Sequence, residues 1–191
     1  MWRLTPIEAS QTTEEIEAIA DQLGLGGIPN FLRLLARSRA STKAYLHAEA
    51  ALANGELAPH QREKIALLVA EINGSKYCRA LHERTARQAG LNEGEIQLSR
   101  EVSSSNPKTQ AMLHFVQAVV LQRGELSNDD FSAIRKAGFS DSEIIEIVAN
   151  IASNIFTNYF NILAQTELDR SPEQPKPRIS MTEKHAIEEK L

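Results

Sequence analysis

The stretch EKIALLVAEINGSKYCRALH, residues 63–82, contains the features that decide the fold. In its first half, apolar residues such as Ile65 and Leu68 recur at the period of an α-helix. The pair Asn73-Gly74 then interrupts the pattern, because both residues favour the end of a helix. A second helical pattern begins at about Lys76. The stretch therefore predicts two helices joined by a tight break.

The same period continues on both sides of this stretch. It predicts helices over about 12–23, 31–36, 41–53, 59–72, 76–89, 93–103, 107–123 and 143–165. Pro59 and Pro107 suit first helical positions, and Ser140 suits an N-cap. β-Branched residues occur inside helix-period patterns and never in clean alternation, so we identify no strand. The predicted fold class is all-α.

Two short segments have echoes later in the chain. AGLNEGEI at 89–96 is matched by AGFSDSEI at 137–144, and Gly55-Glu56-Leu57 is matched by Gly124-Glu125-Leu126. Common helix punctuation explains such echoes, because Gly ends helices and Asn or Ser begins them. The alternative is a duplicated helical unit. The spacing between the two echoes differs, so any internal repeat is degenerate.

Composition excludes several classes of protein. The 191 residues are 42% hydrophobic and 24% charged, which is typical of a globular domain. A formal net charge of −4 argues against a nucleic-acid partner, and no apolar run is long enough for a membrane span. The N-terminal sequence MWRLTPIEASQTTEEIE does not have the layout of a signal peptide. The single cysteine cannot form an intramolecular disulfide, so we expect a cytoplasmic protein.

Composition also changes near the C-terminus. Residues 171–191, SPEQPKPRISMTEKHAIEEKL, contain three prolines within six residues, followed by mixed charge. This pattern predicts a helical domain over 1–170 and an extended arm over 171–191, which is either mobile or packed on a neighbouring subunit.

The chemistry suggested by the sequence centres on the only cysteine. Cys78 and His82 are four residues apart, so on a helix their side chains share one face. Imidazole beside a thiol stabilises the nucleophilic thiolate. Ser75 follows the Asn-Gly break as an N-cap, which makes Cys78 the third helical residue, where the helix dipole favours an anion. Both effects predict a lowered pKa for Cys78.

Glu63 lies on the preceding helix. If the two helices fold back on each other, its carboxylate can orient or charge His82, giving a Cys–His–Glu relay. Other interpretations remain open: Cys78 as a small buried residue, Glu63 as a solvated acid in the first turn, or all three as zinc ligands. The zinc interpretation is weak, because paired Cys or His ligands are absent elsewhere.

The sequence resembles the AhpD-like alkylhydroperoxidase and carboxymuconolactone decarboxylase group, in particular its peroxidase-related branch. The signature of the group is Glu, eleven residues, Cys, two residues, Cys, three residues and His. Glu63, Ser75, Cys78 and His82 fit this spacing without a gap, and Tyr77 also fits the usual surroundings. The resemblance extends from about residue 26 to residue 161.

The resemblance implies an AhpD-like helical domain, assembled as a homo-oligomer such as a trimer or hexamer. It also implies a mechanism in which Cys78 attacks a hydroperoxide while His82 and Glu63 relay protons, with Ser75 and Tyr77 in support. We expect no cofactor. The first signature cysteine, which would resolve the oxidised thiol, is replaced by Ser75. A disulfide cycle within one chain is therefore impossible, so the oxidised thiol needs an external thiol reductant or Cys78 of another subunit.

Three functions follow. The first is reduction of an organic or hydrogen peroxide through Cys78. The second is acid–base chemistry by Glu63 and His82 on a small carboxylated lactone, as in decarboxylase members of the group. The third is a non-catalytic, redox-responsive scaffold in which the thiol senses oxidants. The substrate and the reductant are not specified by the sequence.

Overall fold

Helices formed by the periodic segments dominate the structure, a computed structural model that describes residues 2–8, 12–14, 16–18 and 27–169. In chain order they are α1 Asn30–Leu35, α2 Arg39–Ala53, α3 Pro59–Ile72, α4 Lys76–Gln88, α5 Glu93–Arg100, α6 Pro107–Gln122, α7 Asn128–Lys136 and α8 Asp141–Ala164. No residue in the described ranges belongs to a strand. The all-α prediction is confirmed.

The observed helices depart from the prediction by more than two residues at two places. Helix α5 ends at Arg100 rather than near residue 103, because Val102 adopts a left-handed backbone with φ of 57°. Helix α7 was missed altogether. Its signal is a capping box, in which the Ser127 hydroxyl accepts from the backbone N–H of Asp130 and the Asp130 carboxylate accepts from the N–H of Ser127. Of the predicted helix over 12–23, Glu14 and residues 16–18 are helical, and 19–23 lie outside the described residues.

Helix α3 is the central element of the bundle. Every residue from Lys64 to Ala70 is buried, and the helix packs against α4, α5, α6 and α8. A helix that is apolar on all sides requires such an enclosed position. Even the Lys64 side chain is buried, and its ammonium lies 3.2 Å from Oε1 of Glu95. The stretch that predicted the fold therefore forms its core.

The Asn73-Gly74 break turns the chain back sharply. Gly74 has φ of +69°, a conformation that favours glycine. The N–H of Ser75 donates to the carbonyl of Ala70 at 2.9 Å, and that of Gly74 donates to Glu71 at 3.1 Å. This turn lays α4 antiparallel beside α3, which is the arrangement that the proposed relay requires.

The longer sequence echo corresponds to a repeated local structure. Gly90 and Gly138 both have left-handed φ values, +89° and +86°. In each copy a cap residue, Asn92 or Ser140, then accepts from the backbone N–H of a glutamate three positions later. The shorter echo is not repeated in this way, because Gly124 is left-handed and Gly55 is not.

The two ends of the described chain meet beside α1. The N–H of Ile7 donates to the carbonyl of Arg33 at 3.0 Å, and the N–H of Arg3 donates to Ala164 at 2.9 Å. Among the described residues no helix is both long and apolar enough to cross a membrane. The predicted arm over 171–191 lies outside the described residues, so the domain division stays a prediction.

Candidate active site

Helices α3 and α4 bring Glu63 and His82 into direct contact. Nδ1 of His82 lies 3.0 Å from Oε2 of Glu63. The same carboxylate oxygen accepts a hydrogen bond from the hydroxyl of Thr85 at 2.7 Å. Both members of the pair are about one-fifth exposed, 20% for His82 and 21% for Glu63. The predicted contact is present, and the catalytic roles of the two residues remain predictions.

Two opposing effects act on His82. Burial disfavours the charged imidazolium and lowers its pKa. The carboxylates of Glu63 and, less strongly, Glu49 favour the charged form and outweigh burial, so the pKa of His82 is raised above its ordinary value. The imidazole is therefore suited to hold a proton near neutral pH and to release it to a developing anion.

Cys78 is deeply buried, with 2% of its surface exposed. The side-chain amide of Asn161 on α8 donates to its sulfur, with Nδ2 3.2 Å from Sγ. The hydroxyls of Ser75 and Thr157 also favour the thiolate, yet the loss of hydration on burial dominates and raises the pKa of Cys78. The predicted lowering of this pKa is wrong, because the prediction weighed the helix dipole and the imidazole without the cost of desolvation.

Ser75 occupies the predicted N-cap position but does not cap the helix with its side chain. Its backbone is extended, with φ of −80° and ψ of 93°, and the hydroxyl makes no cap hydrogen bond. That hydroxyl is buried without a partner of ordinary hydrogen-bond geometry, although it lies close enough to Cys78 to favour the thiolate. The Ser75 hydroxyl therefore lies near the sulfur of Cys78 instead of capping the helix.

Cys78 and His82 do not form the hydrogen-bonded pair that their spacing suggested. Within the described part of the chain, Nδ1 of His82 contacts Glu63 and the sulfur of Cys78 contacts Asn161. A thiol and an imidazole on successive turns share a face, but each side chain here has its own partner on a different neighbouring helix.

A cavity of about 390 Å³ lies beside the Glu63–His82 pair. Its polar lining comes from α2, α3, α4 and α8 and includes Glu49, Arg62, Glu63, His82, Thr85, Asn150, Ser153, Asn154 and Thr157. Cys78 is not on the lining. Thr157 lines the cavity, and its hydroxyl is close enough to the sulfur to favour the thiolate, so it stands between the cavity and the sulfur.

Tyr77 connects the site to the C-terminal end of the described chain. Its hydroxyl accepts from the N–H of Phe31 at 3.2 Å and donates to Oδ2 of Asp169 at 2.5 Å. Oδ1 of Asp169 accepts from the N–H of Asn30 at 2.7 Å. Burial and the Asp169 carboxylate raise the pKa of Tyr77, which keeps its hydroxyl protonated. Tyr77 therefore links two chain segments beside Cys78, and its supporting role in the chemistry stays a prediction.

The zinc interpretation has no ligand cluster. Within the ranges that the structure describes, no group of three His, Cys, Asp or Glu side chains is arranged to hold a metal ion. Glu63 and His82 are in contact, while Cys78 is bound to Asn161 instead.

Three residues of the site were not predicted from the sequence. Thr85 follows His82 by three positions on α4, and this spacing on one helical face was an available signal. Thr157 and Asn161 are buried polar residues four positions apart on helix α8, which also buries Asn150 and Asn158. Their spacing indicates a polar stripe, although nothing in the sequence indicates that the stripe meets Cys78.

Comparison of the sequence with protein-family models supports the signature formed by Glu63, Ser75, Cys78 and His82. Residues 40–121 match the model of the Carboxymuconolactone decarboxylase family, and this segment contains Glu63, Ser75, Tyr77, Cys78 and His82. The resemblance inferred from the signature is thereby confirmed. No curated protein matches the chain in sequence.

Several solved structures share the helical fold of this chain over most of their length. An alkylhydroperoxidase AhpD core, an uncharacterised peroxidase-related protein from Ralstonia eutropha JMP134, is 22% identical with a TM-score of 0.79, covering 92% of this chain and 98% of its own. The debrominase Bmp8 is 22% identical with a TM-score of 0.78, and the match covers 89% of this chain and 94% of Bmp8. An uncharacterised peroxidase-related protein from Silicibacter sp. TM1040 is 22% identical with a TM-score of 0.76, and the match covers 87% of this chain and 90% of that protein. Because these identities are low, the likeness establishes an AhpD-like fold.

Proposed function

We propose that the protein reduces peroxides through the single thiol of Cys78 and is regenerated by an external thiol. The observation that supports this proposal best is the hydrogen bond that the buried sulfur receives from Asn161, with two hydroxyls close by. Asn161 donates to Sγ at 3.2 Å, and the hydroxyls of Ser75 and Thr157 also favour the thiolate. A cysteine that serves only as a small apolar residue needs no such donors. Donors aimed at a sulfur stabilise negative charge there.

The reaction balances with one peroxide and two external thiols. The Cys78 thiolate attacks one oxygen of the O–O bond, and the other oxygen leaves as an alkoxide or hydroxide that takes up a proton. The products are the Cys78 sulfenic acid and an alcohol or water. One external thiol then displaces water from the sulfenic acid to give a mixed disulfide, and a second thiol releases Cys78 and forms the external disulfide.

The Glu63–His82 pair supplies the proton in this scheme. The raised pKa of His82 keeps the imidazolium populated near neutral pH, and Glu63 holds it by Nδ1. The other ring nitrogen remains for proton transfer to the leaving oxygen. Substrate enters through the cavity that His82 lines, and Thr157 must shift or be passed for the peroxide to reach the sulfur.

Steady-state peroxide consumption with excess dithiothreitol tests the proposal. Wild type should turn over and should form a sulfenic acid that dimedone traps when the reductant is withheld. Cys78→Ser should abolish both signals. Ser142→Ala is the matched control, because Ser142 is exposed in the first turn of α8, about five helical turns from Asn161, which contacts the thiol. Trapping without turnover would support a redox-responsive scaffold instead of an enzyme.

A second function is favoured by a different observation. Glu63 and His82 line the cavity, whereas Cys78 does not. This arrangement suits acid–base chemistry on a small carboxylated lactone, with the thiol as a buried neighbour. In that case Cys78→Ser should keep its activity on such a lactone, while Glu63→Gln should lose it.

We also propose that the chain self-associates, as a trimer or hexamer. Helix α8 carries a row of exposed apolar side chains, among them Ile145 at 69%, Tyr159 at 60% and Leu163 at 58% exposure. Exposed apolar patches of this kind indicate interaction surfaces. Light scattering coupled to size exclusion should give a multiple of the chain mass, and Ile145→Glu together with Leu163→Glu should reduce it.

A further inference from the structure

We propose that Arg62 forms a carboxylate-binding subsite in the cavity, so that the ligand of this site is a small organic acid. The inference rests on the proposed function only for the location of the site, and it does not depend on which reaction follows. Two observations support it. The guanidinium of Arg62 is partly buried and unpaired, and it has a defined position relative to His82 and Cys78.

Arg62 lines the cavity and has no counter-ion among the described residues. The side chain is partly buried, and its Nε–H is wholly buried without a hydrogen-bond partner. Another partly buried arginine of the bundle, Arg100, is by contrast paired with the carboxylates of Glu71 and Glu83. A buried, unpaired guanidinium N–H is costly, and an anion bound in the cavity would supply the missing acceptor.

The antiparallel helices place Arg62 at the end of the cavity far from the thiol. Ala70 of α3 is linked to Ser75 beside Cys78, and Glu63 contacts His82 and Thr85 further along α4. The first turn of α3, with Arg62, therefore lies level with the last turn of α4, where Gln88 lines the cavity. Arg62 precedes Glu63 by one residue, about 1.5 Å along the helix axis, and helical side chains are tilted toward the N-terminus, so the guanidinium extends from the relay toward Gln88 and away from the thiol. From Arg62 inward the order is therefore arginine, proton relay and, behind the cavity wall, the thiol.

The charges around the cavity fix where an anion can bind. The Glu63 carboxylate already accepts from Thr85 and contacts His82, and the Glu49 carboxylate accepts from Ser153 at 2.5 Å. These two carboxylates repel an anion from the inner region, so Arg62 is the unpaired cation to which it is drawn. A planar guanidinium recognises a planar carboxylate through parallel N–H donors. The remaining wall offers apolar contacts to the body of the ligand from Leu46, Ala50, Ala53, Pro59 and Ala66.

For the proposed reaction, this order predicts the kind of substrate. A hydroperoxide with a carboxylate at its far end would be held by Arg62, with its peroxide directed toward His82 and then Cys78. A neutral hydroperoxide of the same size would lack this anchor and bind less tightly.

Binding of benzoate, measured by isothermal titration calorimetry, tests the subsite without any turnover. Benzamide is the neutral analogue of the same shape, and inorganic phosphate is an anion without an organic body. Wild type should prefer benzoate over both by about tenfold or more, as expected for a charge-assisted pair. Arg62→Met should lose that preference, and Arg62→Lys should keep part of it. The matched control is Arg37→Met, because Arg37 is exposed and does not line the cavity.

The outcomes separate this inference from the proposed function. Benzoate binding that does not change in Arg62→Met, or that is matched by benzamide or phosphate, overturns the subsite. If Arg62→Met fails to fold, two other measurements test the subsite: benzoate binding by Arg62→Lys, and the ratio of the wild-type affinities for benzoate and benzamide. Benzoate binding that depends on Arg62, in a protein without peroxide turnover, supports the subsite and refutes the peroxidase. Turnover of an acidic hydroperoxide and its methyl ester at equal kcat/KM refutes the subsite alone.

Discussion

The imidazole of His82 contacts Glu63 through Nδ1, at 3.0 Å from Oε2, and the same oxygen accepts from Thr85 at 2.7 Å. The carboxylate is thus held from two sides, which fixes the tautomer and the orientation of the ring. Since Nδ1 is engaged, Nε2 is the atom left to exchange a proton with a ligand. The predictions about the relay follow from this contact.

Glu63→Gln should lower the pKa of His82. The amide keeps a hydrogen-bonding oxygen but removes the negative charge that outweighs the effect of burial. NMR titration of the imidazole should show the decrease directly. Glu49→Gln should give a smaller decrease, because Glu49 contributes less to the shift. Glu93→Gln, on the exposed surface, should leave the titration unchanged, and an unaltered His82 titration in Glu63→Gln would contradict the relay.

Stability should depend on pH through the same pair. The folded pKa of His82 lies above its unfolded value of about 6.5, so its stabilising effect is complete below that pH. It is lost as the pH rises through the folded pKa. The difference in unfolding free energy between wild type and Glu63→Gln should therefore shrink over this window. Urea unfolding at a series of pH values measures it, and a Cys78→Ser background removes the alkaline contribution of the thiol. A difference that is constant with pH would argue against a charged pair.

Cys78 should alkylate slowly at neutral pH, and its rate should rise toward alkaline pH beyond the ordinary thiol value of about 8.5. Burial raises its pKa, while the amide of Asn161 works in the opposite direction. Asn161→Ala should therefore move the midpoint of the alkylation profile to still higher pH. Iodoacetamide rates measured against pH test this, with Asn154→Ala on the same helix as the control. A midpoint below 7 in wild type would contradict the structure.

Much of this site was predictable from spacing alone, because a helix fixes which residues share a face. The contact between Glu63 and His82 required only two helices and the glycine turn between them. The environment of Cys78 was not predictable in this way. Its burial depends on α8 and on residues near Phe31, which are distant in sequence, and burial reversed the direction of the pKa shift. Helix α7 was missed for a local reason, since its apolar stripe is short and only Ile134 is buried.

Tyr77→Phe should lower the free energy of unfolding by about 1–3 kcal/mol. The substitution leaves the N–H of Phe31 without its acceptor and removes the donor to Oδ2 of Asp169. Denaturant unfolding measures the loss. Tyr159→Phe, measured at a protein concentration below that of self-association, is the matched control, because that side chain is 60% exposed and should change stability by less than about 0.5 kcal/mol. Equal effects of the two substitutions would mean that the Tyr77 hydroxyl contributes nothing beyond its ring.

Ser75→Cys should give the protein a resolving thiol. Residues three apart at a helix start have Cβ atoms about 5–6 Å apart, and the hydroxyl of Ser75 already lies close to the sulfur of Cys78. A modest adjustment then brings two sulfurs within bonding distance. Because the Ser75 side chain makes no cap hydrogen bond, the exchange costs little helix stability.

In this variant the Cys78 sulfenic acid should be attacked by the introduced thiol, releasing water and forming a disulfide. Mass spectrometry after one equivalent of peroxide should show the loss of two hydrogens instead of the gain of one oxygen, and dimedone should no longer trap the intermediate. Ser75→Ala should still gain oxygen, and Ser75→Cys combined with Cys78→Ser should form no internal disulfide. A sulfenic acid that persists in Ser75→Cys would mean that the turn at Gly74 holds the two side chains too far apart for resolution.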